Sequence, residues 1–285
     1  MTSLVSARNV SKSFGNLRAV DNASFEIEKG RIMGLIGPNG AGKTSLLKAV
    51  LGLTDCEGSL SVLGLDPFRQ RRKLMQNICF IADVAVLPRW IKVYQLLDFM
   101  ASVHPNFSRE KVENLLAKTD IRRGSKVREL SKGMVTQLHL SVITAIDAKL
   151  LVLDEPTLGL DIIFRKDFYR NLLNDYFDEE RTIIITTHQV EEIENLLTDV
   201  MFINHGQILL DARMDAIPDT YVELLASAEN ATRATRFNPI YEREVFGQKV
   251  LTFEGVDRAS LEGLGEIRTP DVADLFVAKV KGEDA

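Results

Sequence analysis

The chain has 285 residues, 45% hydrophobic and 26% charged, a composition ordinary for a globular protein. That length fits one large domain, or one domain with a modest appendage, and supplies enough apolar material for a core that needs no staples. A formal net charge of −5 and a pI of about 5.5 imply no strongly basic surface, so no nucleic-acid partner is expected.

The local basic cluster Arg69, Arg71, Arg72 and Lys73 reads as a solvated helix face rather than a phosphate-binding surface. Cys56 and Cys79 lack metal-ligand spacing and suit a reducing compartment. The histidines His104, His139, His188 and His205 are too scattered to form a metal cluster. The first residues show no basic segment followed by an apolar run, the mark of a signal peptide. No apolar stretch reaches the roughly 18 residues that a membrane-spanning helix needs. The expectation is a cytosolic chain, or one held at a membrane by a partner.

In chain order, Leu4 to Val10 reads as a strand, Phe14-Gly15-Asn16 as a turn and Ala23 to Ile27 as a second, alternating strand before the Lys29-Gly30 turn. Arg31 to Ile36 is a short apolar strand, a glycine-rich loop follows, and Ser45 to Leu51 has helical periodicity. Ser59 to Leu63 predicts a strand, and another runs from Asn77 to Ile81. From about Arg69 to Lys126 the character becomes helical, with amphipathic helices over Tyr94 to Val103 and Arg109 to Lys118 and breakers at Pro88 and Pro105. Val135 to Ala148 predicts a helix, Leu150 to Leu153 a buried strand, Ile162 to Tyr176 a helix and Thr182 to Thr186 a β-branched strand. Val190 to Leu197 reads as helix, and Val200 to Ile203 with Gln207 to Leu210 brackets the hairpin turn Asn204-His205-Gly206. Beyond Pro218 apolar density falls, with a strand at Lys249 to Phe253 and a helix at Val272 to Lys279.

Alternating strands and helices predict an α/β fold with a mainly parallel sheet covered on both faces. The domain reading is one main domain over residues 1–217, a helical subdomain inserted at about 70–148, and a small accessory region at 218–285.

Gly37-Pro38-Asn39-Gly40-Ala41-Gly42-Lys43-Thr44 matches G-x-x-x-x-G-K-[ST] in full and sits between a strand and a helix. Its glycines let backbone N–H groups curl around phosphate oxygens, and the helix that begins near Thr44 and Ser45 adds its positive end. Lys43 is suited to the β- and γ-phosphates, and the Thr44 hydroxyl to Mg²⁺. Leu150-Leu151-Val152-Leu153-Asp154-Glu155 is a central strand that delivers two carboxylates at its C-terminal end, where open α/β sheets bind ligands. Asp154 is suited to hold Mg²⁺, directly or through water, and Glu155 to polarise an attacking water. His188 ends a strand expected beside that of Asp154, which puts its imidazole near the γ-phosphate.

Taken in order, these motifs resemble the nucleotide-binding subunits of ATP-binding-cassette (ABC) transporters, a P-loop NTPase family, over about residues 1–215. Leu130-Ser131-Lys132-Gly133-Met134 resembles the family signature L-S-G-G-Q, Leu158-Gly159-Leu160-Asp161 its D-loop, and Thr187-His188 its switch histidine. Phe14 falls where the family stacks an aromatic ring on adenine. The resemblance implies an N-terminal antiparallel β portion and a head-to-tail dimer with a second ATPase subunit. ATP would lie between the subunits, with Ser131, Lys132 and Gly133 of one facing the phosphate loop of the other.

It also implies an integral membrane transporter subunit on a separate chain, gripped by the region around Trp90 to Phe99. The location implied is peripheral, at the cytoplasmic face of the cell membrane. Two positions depart from the pattern. Lys132 and Met134 replace a glycine and the glutamine of the signature. Asp83 stands where the family places its Q-loop glutamine; a carboxylate there can bind Mg²⁺ or its water but cannot donate as an amide does, and the residue reads equally as plain surface.

The tail Thr269-Pro270-Asp271-Val272-Ala273-Asp274-Leu275-Phe276 is loosely similar to the ends of ATPases serving drug and antibiotic export. Two other functions stay open at this level. A soluble cassette ATPase acting on ribosomes or DNA is opposed by the single cassette and by the lack of sustained heptads between Lys43 and Ser131. A module that only senses ATP is opposed by the full set Lys43, Thr44, Asp154, Glu155 and His188.

Overall fold

The computed structural model describes residues 3–82, 87–157 and 162–282. Strands β1 (Ser3–Phe14) and β2 (Leu17–Glu28) form a long antiparallel hairpin. Its tip is the two-residue turn Gly15-Asn16, where Gly15 takes φ +59°. This pairing carries both strands well past the segments that alternation alone marks out. Strand β3 (Ile32–Ile36) and helix α1 (Lys43–Val50) flank the glycine-rich loop. Strand β4 (Glu57–Val62) completes a three-stranded antiparallel sheet in the order β2-β1-β4.

A one-turn helix α2 (Arg71–Leu74) leads to β5 (Ile78–Ala82). Helices α3 (Val93–Val103), α4 (Arg109–Leu116) and α5 (Lys132–Thr144) pack on one another around Val93, Leu97, Val112, Leu116 and Leu138. Within the stretch expected as a helical insert, β5 joins the central sheet as its edge strand. Helix α5 begins earlier and ends earlier than its apolar pattern suggests. Ser131 caps its start by accepting from Met134 N, and beyond Thr144 the backbone turns to bond residues 106 and 108 instead.

Strand β6 (Leu150–Asp154), helix α6 (Ile162–Asp175), and strands β7 (Thr182–Thr187), β8 (Asp199–Asn204) and β9 (Gln207–Arg213) complete a six-stranded sheet. Its order is β5-β6-β7-β3-β8-β9, parallel except for the last pair. Side chains sort by the two-residue period of a strand. Leu151, Leu153, Ile183, Ile185, Val200 and Phe202 face one core; Leu150, Val152, Ile184, Met201 and Ile203 face the other. A sheet buried on both faces explains why these strands read as unbroken apolar runs.

The expected helix Val190 to Leu197 is instead two single 3₁₀ turns, Val190–Glu192 and Glu194–Leu196. Ile193, at φ −120° and ψ −9°, breaks the helical path between them. Arg165 of α6 pins the first turn through Gln189 and Glu192, and Glu194 is drawn off to accept from Val272 N.

The last stretch is more structured than its composition suggests. Helix α7 (Ile217–Thr220) leads into β10 (Tyr221–Ala226), then α8 (Ala228–Ala234), β11 (Tyr241–Val245), β12 (Gln248–Glu254), β13 (Glu266–Arg268) and α9 (Val272–Gly282). The strands form an antiparallel sheet in the order β11-β12-β10-β13, with its own core of Val222, Leu224, Leu251, Phe253 and Leu261. Helix α9 ties this sheet to the central one: the Phe276 ring stands edge-on to Phe202 at 5.2 Å, and Asp274 pairs with Arg243 at 2.5 Å.

Candidate nucleotide site

Everything in the site hangs from the C-terminal ends of β3, β6 and β7. Parallel register sets Ile36 beside Thr187 and Asp154 beside Thr186. The loop after β3 and the acids after β6 therefore emerge on the same edge of the sheet.

Backbone crowding fixes the shape of the glycine loop. A Cβ on Gly42, which takes φ +111°, would lie 2.3 Å from the Ala19 carbonyl oxygen, and one on Gly37 would lie 2.3 Å from the Ile203 carbonyl oxygen. The turn between β8 and β9 braces the loop from behind, Gly206 N donating to Ala41 O at 2.8 Å. Ala41 N donates to Pro38 O at 3.1 Å, while Pro38, Asn39 and Gly40 stand exposed at the crest.

Lys43 is buried at the start of α1 and folds its ammonium back into the loop. Nζ donates to Gly37 O at 2.6 Å and Pro38 O at 3.2 Å, and lies 3.9 Å from Glu155 Oε1. Burial lowers its pKa, and the Glu155 and Asp154 carboxylates oppose that by favouring the charged form. The next residue, Thr44, donates from Oγ1 to Asp154 Oδ2 at 3.1 Å; Ser45 follows, half-buried.

The acid pair is held from β7. Thr186 Oγ1 donates to Asp154 Oδ1 at 2.6 Å and accepts from Glu155 N at 3.0 Å. Glu155 sits in the left-handed region at φ +49°, and its Oε2 lies 2.8 Å from His188 Nδ1. Thr44 and Asp154 together offer hard oxygen donors at one point. Among the described residues no group of three or more acidic, histidine or cysteine side chains could cage a metal. That pattern fits Mg²⁺, which takes one or two protein oxygens and completes its shell with phosphate and water.

Lys43, Thr44, Asp154, Glu155 and His188 thus form one cluster. Other expected residues lie apart from it. Ser131 and Lys132 are exposed at the start of α5 and Gly133 is buried beneath them; no hydrogen bond or ion pair among the described residues joins them to the phosphate loop. Phe14 closes β1 with its ring half exposed, and the Lys12 ammonium lies 5.3 Å from its centroid while pairing with Asp55. Asp83 and Asp161 lie outside the described residues. Thr186 is the residue that pattern reading passes over. Its signal was present, a hydroxyl placed after three isoleucines in a strand that must abut Asp154.

A buried strand, a glycine loop forced into shape by backbone contacts, a helix that opens on lysine and threonine, and an acid pair at the end of β6, one strand removed across β7, define a P-loop nucleotide-binding protein. The family model of the ABC transporter matches residues 20–158. The Nod factor export ATP-binding protein I of Cupriavidus metallidurans is 32% identical over 293 residues, covering 94% of this chain and 93% of that protein. The lantibiotic transport ATP-binding protein SrtF of Streptococcus pyogenes is 30% identical over 215 residues, covering 74% of this chain and 92% of that one. A solved ATP-binding subunit of an ABC transporter superposes with a TM-score of 0.66 at 21% identity, over 75% of this chain and 92% of that one, and carries the fold alone. The chain belongs to the ATP-binding proteins of the ABC transporter family. Among the described residues no helix is long and apolar enough to cross a membrane.

Proposed function

We propose that the chain binds ATP with Mg²⁺ and hydrolyses it to power an ABC membrane transporter. The observation that carries this reading is the convergence of Lys43, Thr44, Asp154, Glu155 and His188 at the ends of adjacent strands. The loop amides and Lys43 bind the β- and γ-phosphates of the substrate. Thr44 and Asp154 hold Mg²⁺, which when bound offsets the phosphate charge. Glu155 accepts the proton of the attacking water, and His188 fixes the direction of that carboxylate.

The pocket is half complete in one chain. Ser131 and Lys132 stand exposed at the start of α5 with Gly133 buried beneath them, at a helix N-terminus able to receive a γ-phosphate from a second ATPase subunit arranged head to tail. Phe14 stacks on adenine. Exposed aromatics on the helical subdomain, Trp90 at 70% and Phe99 at 55% exposure, supply the grip on a membrane subunit carried by a separate chain, at the cytoplasmic face. The relatives named for Nod factor export and lantibiotic transport favour an exporter. Residues 218–285 form the accessory unit.

The test is Mg²⁺-dependent phosphate release by the purified protein. Wild type is expected to release phosphate, and Lys43→Ala to lose nucleotide binding. Wild-type protein that binds no ATP would overturn the reading. Purification from membranes is expected to bring down a polytopic membrane protein.

A further inference from the structure

Thr186 has no solvent exposure, and it follows Ile183, Ile184 and Ile185 in a strand buried at every position. Shape alone would be satisfied there by valine, which is just as β-branched. A hydroxyl in such dry surroundings is costly unless both its proton and a lone pair find partners. Here both do, and the partners are the backbone of one site carboxylate and the side chain of the other.

The donor pattern follows without choice. Glu155 N–H can only donate, so the Thr186 oxygen accepts from it at 3.0 Å. Its single proton is then free for Asp154 Oδ1, and the 2.6 Å contact is that of a charge-assisted bond. With Oδ1 occupied, Oδ2 is the oxygen turned to Thr44. The same atom helps the Thr186 carbonyl, 3.2 Å from Glu155 N, to hold a backbone at φ +49°, a conformation unfavourable to a non-glycine residue. In that conformation the Glu155 carboxylate lies between His188 Nδ1, at 2.8 Å, and Lys43 Nζ, at 3.9 Å.

We infer that Thr186 is a positioning residue whose one hydroxyl sets both the Mg²⁺-facing oxygen of Asp154 and the direction of Glu155. The inference rests on the roles proposed above for those two acids. It assigns to a strand residue the coupling between metal geometry and the general base.

The experiment compares wild type, Thr186→Val and Thr186→Ser in the full chain. Affinity for the non-hydrolysable analogue AMP-PNP is measured with Mg²⁺ and with EDTA, beside ATP turnover. Thr186→Val is expected to cut the Mg²⁺-dependent gain in AMP-PNP affinity by about tenfold while leaving the EDTA value unchanged. Its kcat is expected to fall about 100-fold. Thr186→Ser, which keeps the hydroxyl, is expected to restore both. If the valine variant does not fold, Thr186→Ala enters the same comparison.

A valine variant that keeps the full Mg²⁺ gain, or loses equal affinity with and without Mg²⁺, would overturn the inference. Wild type that binds AMP-PNP yet hydrolyses no ATP would instead sink the proposed activity, and the Mg²⁺ comparison would still report on Thr186.

Discussion

His188 Nδ1 lies 2.8 Å from Glu155 Oε2, across the ends of two neighbouring parallel strands. With the carboxylate ionised, Nδ1 carries the proton and donates. The imidazole then aims the carboxylate, and among the described residues no hydrogen bond joins it to the glycine loop. His188→Ala is therefore expected to lower kcat by about 100-fold with little change in nucleotide affinity. Steady-state kinetics beside equilibrium nucleotide binding checks the split.

Gly42 offers a test of the loop rather than of the chemistry. Alanine there meets the Ala19 carbonyl oxygen at 2.3 Å and must also hold φ +111°. Gly42→Ala is expected to destabilise the fold by about 2 kcal/mol and to weaken nucleotide binding, because the loop must move to relieve the clash. Gly40, at φ +83° with no atom within 4 Å of an added Cβ, carries only the backbone strain, so Gly40→Ala should cost less. Urea unfolding of the two variants ranks them.

A pH dependence follows from His139 on α5. Burial pushes its pKa down to about 4, so the folded chain keeps it neutral. Between about pH 6.5 and pH 4 the unfolded chain binds a proton there that the folded chain does not, and stability falls as pH drops through that window. The loss from this residue at pH 5 is about 2 kcal/mol. His139→Gln is expected to shrink the difference in unfolding free energy between pH 7.5 and pH 5 by about that amount. His104, also lowered by burial, leaves a residual slope.

Glu223 on β10 is 1% exposed and accepts from Arg268 at 2.5 Å and from Arg243 at 3.3 Å, with Asp274 of α9 bonded to the same Arg243. Removing the carboxylate leaves two guanidiniums sharing one acid at the joint between the C-terminal sheet and α9. Glu223→Ala is expected to cost about 3 kcal/mol and to open residues 218–285 to protease before the remainder of the chain. Limited proteolysis with mass analysis of the fragments is the measurement.

The same glutamate shows why the C-terminal sheet was hard to see in the sequence. Tyr221–Ala226 is a central strand with a charge at an inward position, and the arginines that make it tolerable lie 20 and 45 residues away. Strands β3, β6 and β7 were legible because both faces are buried and nothing polar interrupts them until the site itself. The glycine loop was legible because Gly37 and Gly42 are forced by backbone contacts that leave a direct mark in the sequence. Val190 to Leu197 has helical spacing yet folds as two single turns, since Arg165 and Val272 engage its polar residues from elements far away in the chain. Thr186 reads as one more β-branched strand residue, and only its register against Asp154 reveals what the hydroxyl does.

In the proposed mechanism Glu155 serves as the base for ATP hydrolysis while the loop, Lys43 and Thr44 bind the nucleotide. Single-turnover hydrolysis by Glu155→Gln, run beside light scattering to report the mass in solution, tests it most directly. This variant is expected to retain ATP, to stay in an ATP-bound pair of subunits and to release essentially no phosphate. Phosphate release at the wild-type rate would contradict the mechanism.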